Sequence, residues 1–266
     1  MNIRTMQERD LNRVIEIIGQ HDDDDAEDAQ SDFETDGVEN HWVAELDDKV
    51  IGLCGYRRVP QTQGSGWVSW TYVDPGYQGR GYGKALFKTV LDHARETGAE
   101  KLFIKVSNYI DENGVNIYER ASRMYQSFGF ECELISKDFY DQGEDQLIYS
   151  KYLVAQTDTD EVVENEKPVI RFHEIYEIAG TEGAYTFAWH VAKKSLFNKR
   201  SFTVMDLNTG LDAVRQHGGR IVFLTFLSNL PLIHEPLSQA GFKLVGKLKD
   251  YFEPGVDELH FVHRLD

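Results

Sequence analysis

Between Val73 and Leu86 the chain reads V-D-P-G-Y-Q-G-R-G-Y-G-K-A-L, and this stretch restricts its folding more than any other. The apolar run from Trp67 to Val73 stops at Asp74-Pro75-Gly76, so a strand ends there. Leu86, Val90 and Ala94, with Phe87 and Leu91 beside them, then recur at helical spacing, and Gly98 provides a stop. Gln78 to Gly83 must therefore turn a strand into a helix. Glycines permit this because they reach backbone conformations closed to other residues. The first amides of a helix have no partner inside it, and the helix dipole adds positive potential there. Arg80 and Lys84 add charge, so the expected guest is a pyrophosphate. A P-loop is excluded, since no Gly-Lys-Ser/Thr follows a four-residue spacer. A Rossmann unit is excluded too, because Leu102–Val106 runs into Ser107-Asn108 and not into an acidic residue.

Around this turn the pattern predicts a strand at Asn2–Met6 and a helix carrying Leu11, Val14, Ile15 and Ile18, with Thr5 and Glu8 at capping-box spacing. Strands follow at His41–Leu46 and Val50–Val59, joined by the turn Asp47-Asp48-Lys49, and at Trp67–Val73. After the glycine-rich helix come a strand at Leu102–Ser107, a helix at Val115–Phe128, and strands at Glu131–Ile135 and Gln146–Leu153. The fold class is α/β, a mixed sheet with helices on its faces.

Charge narrows the function. The 28 Lys and Arg stand against 45 Asp and Glu, a formal net charge of −17, which disfavours nucleic acid and anionic membrane as partners. Residues 20–40 hold ten carboxylates and no Lys or Arg. They read either as a solvated loop or short exposed helix, or as a magnet for a cationic ligand. No apolar run approaches the roughly 20 residues a membrane span needs. The polar start M-N-I-R-T-M-Q-E-R-D lacks the apolar core of a secretion signal. Cys54 and Cys132 offer neither a disulfide framework nor metal-ligand spacing, so a cytoplasmic, metal-free protein is expected.

The pattern Q-x-x-G-x-G at Gln78–Gly83, after a strand and Asp74-Pro75, resembles the acetyl-CoA signature of the GCN5-related N-acetyltransferase (GNAT) superfamily. Ala121-Ser-Arg-Met124-Tyr125-Gln-Ser-Phe128-Gly129-Phe130 resembles that family's second motif, A-x-x-[LFM]-Y-x-x-x-G-F. The resemblance covers Met1 to about Leu153 and implies the GNAT acyl-CoA N-acyltransferase fold. It implies acetyl transfer from acetyl-CoA to a primary amine. Backbone groups of Tyr72 and Val73 would pair with the pantetheine arm, and Gln78, Gly79, Arg80, Gly81, Tyr82, Gly83 and Lys84 would seat the pyrophosphate. Tyr125 would protonate the departing thiolate, as a phenol with a pKa near 10 can; its competing reading is plain core. The family's usual Asn before the second motif is replaced by Tyr118, leaving Asn108, Asn113 or Asn116 for that contact. The family's strand glutamate is missing from W-V-S-W-T-Y-V, so the base is water, His41 or an acid from elsewhere. A non-catalytic acyl-CoA-binding module and a protein or peptide N-acetyltransferase are the alternatives.

Sliding the chain by 112 positions superposes Gly129-Phe130 on Gly241-Phe242 and Lys137-Asp138 on Lys249-Asp250. Gly143, Asp145, Leu147 and Leu153 likewise fall on Gly255, Asp257, Leu259 and Leu265. Three parts are expected: a GNAT domain over 1–154, an acidic linker over 155–167, and a truncated, degenerate repeat of the same fold over 168–266. The repeat reads as strands near Val169–Ile178, Ala184–Ala192 and Phe202–Asp206, a helix at Leu211–His217 and a strand at Ile221–Leu227. Its counterpart of the glycine-rich turn is placed at Asp206–Leu211, without basic residues, and Leu237 falls in the slot of Tyr125. Tyr185, Phe187 and Trp189 read as core.

Overall fold

The computed structural model describes residues 1–155, 169–192 and 203–265. Its first sheet is built from β1 (Asn2–Thr5), β2 (His41–Leu46), β3 (Lys49–Arg58), β4 (Ser65–Val73), β5 (Lys101–Ser107), β6 (Glu131–Asp141) and β7 (Glu144–Tyr152). They lie in the order β1-β2-β3-β4-β5-β7-β6. The helices are α1 (Leu11–Gly19), α2 (Asp23–Asp36), α3 (Tyr82–Glu96) and α4 (Glu119–Ser127). Val14, Ile17 and Ile18 of α1 share a core with Ala29 and Phe33 of α2 and with Val43, Val50 and Leu53 of the sheet. Leu86, Phe87, Val90, Leu91 and Ala94 bury one face of α3. Gly98, at φ 81°, ends that helix as expected. This is the expected mixed α/β sheet.

Four local expectations are corrected. The acidic run is a 14-residue helix, α2, because Asp22 caps it by accepting from the Asp24 and Asp25 amides at 2.9 and 3.1 Å. Asp23, Asp24 and Asp25 then sit in the first turn, where the dipole favours negative charge. The capping box at the chain start uses Gln7 and Asp10 in place of Thr5 and Glu8. The helix expected from Val115 begins only at Glu119. Before it, Asp111 accepts from the Asn113 and Val115 amides at 2.9 and 2.8 Å and Ile110 bridges Asn116, local turn chemistry that competes with helix. Finally, β6 runs on to Asp141, well past Ile135.

The second sheet contains β8 (Val169–Glu177), β9 (Ala184–Ala192), β10 (Ile221–Leu227), β11 (Lys243–Glu253) and β12 (Val256–Arg264), in the order β11-β12-β10-β9-β8. It carries α5 (Val204–Gln216) and α6 (His234–Gln239). Where a strand was expected at Phe202–Asp206, Thr203 caps α5 and Val204–Asp206 are its first turn, Phe202 lying outside the described residues. Leu207, Leu211 and Val214 bury one face of α5, and Gly210 lies in its interior because the Phe187 ring rests there, with a Cβ only 2.7 Å away. Tyr185 and Phe187 are core, and Trp189 stacks on Phe226 at 4.4 Å, as expected. The linker expected at 155–167 lies almost wholly outside the described residues.

The chain divides into two compact units that interleave along the sequence. One takes Met1–Lys105, Ala121–Glu131 and Tyr149–Gln156, and the other takes Val106–Arg120, Cys132–Ile148 and the chain from Thr157 onward. Inside the second unit Phe139 packs on Phe223 at 5.0 Å, and the Glu182 amide donates to the Tyr140 carbonyl at 2.7 Å. The two hairpins β6–β7 and β11–β12 share one device. Asp138 and Asp250 both take positive φ, 55° and 51°. Their amides donate to Asp145 and Asp257 at 2.9 and 2.8 Å, and their carboxylates accept from Gly143 and Gly255 at 2.7 and 2.8 Å. The sequence of strands β3-β4-β5-β7-β6 parallels β8-β9-β10-β12-β11, which is compatible with a second copy of the fold.

Candidate active site

The site is built where β4 leaves its neighbour. Parallel pairing with β5 joins Ser65, Gly66 and Trp67 to Lys101, Leu102 and Phe103, and the register goes no further. On its other edge β4 stays paired with β3, and that register shifts between Leu53 and Gly55. Trp70 and Thr71 therefore stand against the single residue Cys54, and Trp70 takes φ 42° in this bulge. Asp74 ends the strand. Its carboxylate accepts from the Gly76 amide at 2.9 Å and pairs with Arg13. Burial works against the charge, but the Gly76 and Arg13 bonds hold this carboxyl below the usual range.

The glycine-rich turn then opens α3. Gly79 and Gly81 take φ 75° and 86°, and a Cβ on either would meet nothing within 4 Å. Gly81 is the N-cap of α3 and offers no side-chain cap, so the first amides of the helix are left for an outside acceptor. Gln78, Arg80 and Lys84 are exposed around it, and Tyr82 is half-buried. Gln78 reaches back to the Val73 carbonyl at 3.2 Å, and His21 donates to the same carbonyl at 2.9 Å. Open space, unfilled amides and two cations fit a diphosphate.

Tyr125 lies on α4 with only 6 % of its surface exposed, its ring 5.1 Å from that of Phe87 and 6.5 Å from that of Phe130. Its hydroxyl is within the influence of the Thr71 side chain, whose Oγ1 lies 3.2 Å from Cys54 Sγ. Burial, with Cys54 beside it, pushes the phenol well above its ordinary pKa, and the Thr71 side chain opposes that. Burial also pushes the Cys54 thiol up to about 12. Tyr125 is thus core, with its hydroxyl directed to β4.

The opposite face of β4 meets α2. Trp70 Nε1 donates to Asp32 at 3.1 Å, and the Tyr72 hydroxyl donates to Asp25. Burial raises the Asp25 carboxyl, aided by its acidic neighbours Asp22, Asp28 and Asp24, while the Tyr72 bond opposes the rise. Arg57 is held by Asp36 at 2.8 Å and Asp32 at 3.2 Å. His41 on β2 is buried, with Nδ1 2.9 Å from the Glu39 carbonyl and Nε2 2.8 Å from Ser69 Oγ.

The asparagines offered for the donor contact are all engaged by other groups. Asn108 accepts from the Asp145 amide at 2.7 Å, Asn113 turns on Asp111, and Asn116 accepts from the Tyr118 amide at 2.9 Å. Among the described residues, no group of three or more His, Cys, Asp or Glu is placed to hold a metal. Also among them, no helix is long and apolar enough to cross a membrane. The bulge, Thr71, Ser69 and the bonds from Trp70 and Tyr72 to the carboxylates of α2 escaped sequence reasoning, since the partners are distant in the chain.

Comparison with known proteins agrees with this geometry. Residues 5–130 match the Acetyltransferase (GNAT) family, so this part of the chain is a GNAT-family domain. Human N-acetyltransferase 8B is 34% identical over 92 residues, which are 34% of this chain and 37% of that protein. N-alpha-acetyltransferase RimI of Mycobacterium tuberculosis is 31% identical over 103 residues, 38% of this chain and 58% of that protein. The chain thus spans less than two thirds of the length of either relative. A crystal structure from Desulfovibrio desulfuricans, assigned to the GNAT family of acetyltransferases, superposes with a TM-score of 0.50 at 26% identity. It covers 57% of this chain and 99% of its own.

Proposed function

We propose that this chain is an N-acetyltransferase that moves an acetyl group from acetyl-CoA to a primary amine by direct attack. One observation carries the reading: β4 parts from β5 beside an uncapped glycine start of α3, and the hydroxyl of Tyr125 is directed to Thr71 on that same strand. In this reading the amides from Gly79 to Lys84, with Gln78 and Arg80, take the diphosphate of the donor. The backbone of Tyr72 and Val73 takes its pantetheine arm. The amine nitrogen attacks the acetyl carbonyl carbon, the carbon–sulfur bond breaks, and Tyr125 gives the leaving thiolate its proton.

The acceptor is a cationic amine. Supporting this are the acidic helix α2 and its bonds to Tyr72 and Trp70 on the strand beside the thioester seat. The name of the RimI relative brings peptide α-amines into the same class. The residues from 168 onward are a degenerate copy of the domain at 1–154. Their parallel strand order and matching Asp–Gly hairpin device support this, and Leu237 there has no proton to donate. Asp206–Leu211, where the counterpart of the glycine-rich turn was expected, lies within α5.

Calorimetry with coenzyme A, followed by acetyl-CoA with spermidine, an alanine-initiated peptide and hydroxylamine as acceptors, tests the reading through released thiol. Binding and thiol release are expected, with the spermidine KM climbing as salt is added and the acetyl-CoA KM unmoved. No binding overturns the reading. Binding without turnover of any acceptor replaces it with a non-catalytic acyl-CoA-binding module.

A further inference from the structure

The acetyltransferase reading leaves the amine's proton without a destination, because W-V-S-W-T-Y-V carries no carboxylate. We propose that Ser69 is the group that receives this proton, passing its own hydroxyl proton to Nε2 of His41 behind it. This inference rests on that reading and adds to it the residue that faces the attacking nitrogen.

The argument begins with the tautomer. A carbonyl can only accept, so the 2.9 Å contact with Glu39 puts the imidazole proton on Nδ1. Nε2 is then a lone pair, and the only hydrogen available to it at 2.8 Å is that of the Ser69 hydroxyl. Ser69 has thereby spent its donor, and its remaining lone pairs accept from outside. A half-buried serine so arranged offers an approaching N–H an acceptor with a proton exit already in place.

The arrangement is built, not incidental. The His41 ring occupies the room left by Gly55, where a Cβ would fall 2.1 Å from the imidazole Cδ2. Phe33 of α2 closes the other side, edge-on at 4.9 Å. Ser69 stands immediately before the bulge at Trp70, on the part of β4 that has left β5. The charged groups that face His41 are Arg57 from β3 and Asp32 from α2; Glu39 contributes its carbonyl. Burial, with Arg57 adding to it, lowers the imidazole pKa to about 4. Nε2 is therefore unprotonated at any ordinary working pH. The low basicity is tolerable because the nitrogen becomes acidic once its lone pair has bonded to the acyl carbon, which is when the proton moves.

The step balances. The nitrogen–carbon bond forms, one N–H proton passes to Ser69 Oγ, and the serine proton passes to His41 Nε2. The carbon–sulfur bond breaks, and the thiolate takes the Tyr125 proton. The imidazolium and phenolate left behind return to neutrality through solvent. Ser69 is the catalytic residue here and His41 the positioning residue.

The test uses Ser69→Ala, Ser69→Thr and Tyr125→Phe in the full chain, with spermidine and the alanine-initiated peptide as acceptors. Ser69→Ala should lower kcat about 100-fold, in the usual range for a lost proton acceptor, with the acetyl-CoA KM and the calorimetric coenzyme A affinity unchanged. The wild-type kcat/KM for the amine should rise in proportion to the free amine as pH increases, while that of Ser69→Ala should rise more steeply, because hydroxide must then take the proton from the bonded nitrogen. Ser69→Thr should restore most of the rate. Independently of turnover, the ¹⁵N spectrum should show His41 with its proton on Nδ1, and Ser69→Ala should shift the Nε2 resonance. A wild-type kcat and pH profile in Ser69→Ala, or a proton on Nε2, overturns the proposal. Full activity in Tyr125→Phe beside a crippled Ser69→Ala overturns only the assignment of the acid. Absence of wild-type turnover removes both.

Discussion

α3 and α5 begin in the same place in their sheets, each after the strand that stands second from β3 or β8, and they finish that beginning in opposite ways. α3 starts at Gly81 with no side chain over its amides. α5 starts at Thr203, whose hydroxyl meets the Asp206 amide while Asp206 reaches back to Thr203, a closed capping box. The same contrast recurs one helix later. Tyr125 of α4 keeps a hydroxyl directed to β4, and Leu237 of α6 is wholly buried with nothing to ionise. A helix start that satisfies itself is stable and closed, whereas one left unsatisfied is available to an anion. The difference between these two helix starts is one of where polar groups are completed.

The strongest way to break this comparison is at the proton donor. Tyr125→Phe keeps the ring against Phe87 and removes only the hydroxyl, so kcat should fall by about 100-fold or more with the acetyl-CoA KM little changed. Leu237→Met, a volume-conserving change in the matching slot, should leave kcat at the wild-type value. Steady-state thiol release measures both. Equal kcat in Tyr125→Phe and wild type would reduce Tyr125 to core.

A smaller effect belongs to the open helix start. Gly81→Asp places a carboxylate over the first amides of α3 and a side chain at φ 86°. Both oppose a bound diphosphate, and coenzyme A should bind about tenfold or more weakly by calorimetry. Unchanged affinity would mean that the donor is seated elsewhere.

Legibility followed distance along the chain. The glycine-rich turn and the Met124-Tyr125 pair were readable because their chemistry is contiguous in sequence. α1, α3 and the strands flanking them were readable because single faces carry their apolar residues. The helix expected at Leu211–His217 begins earlier, at Val204; that start was missed because Asn208-Thr209-Gly210 has turn composition, yet its glycine is there to admit the Phe187 ring. α2 was read as loop or short exposed helix because ten carboxylates outweighed the two buried positions, Ala29 and Phe33, that hold it to the core. The wiring of the site could not be seen at all. Cys54 meets Thr71 across 17 positions and His41 meets Ser69 across 28, and both meetings depend on the sheet register and on a bulge that no local pattern announces.

The smallest expected effect sharpens the comparison from the closed side. Thr203→Ala removes the hydroxyl that covers the Asp206 amide and donates to the Asp206 carboxylate, while the Thr203 amide keeps its own bond to that carboxylate. An N-cap of this kind contributes about 1 kcal/mol, so the unfolding free energy from chemical denaturation should fall by that amount, and Thr203→Ser should recover it. Coenzyme A affinity and kcat should not move, because a self-completed helix start has no amides to lend. A loss of affinity in Thr203→Ala equal to that in Gly81→Asp would make the two starts functionally alike. The distinction between an open and a closed helix would then have no bearing on where the donor binds.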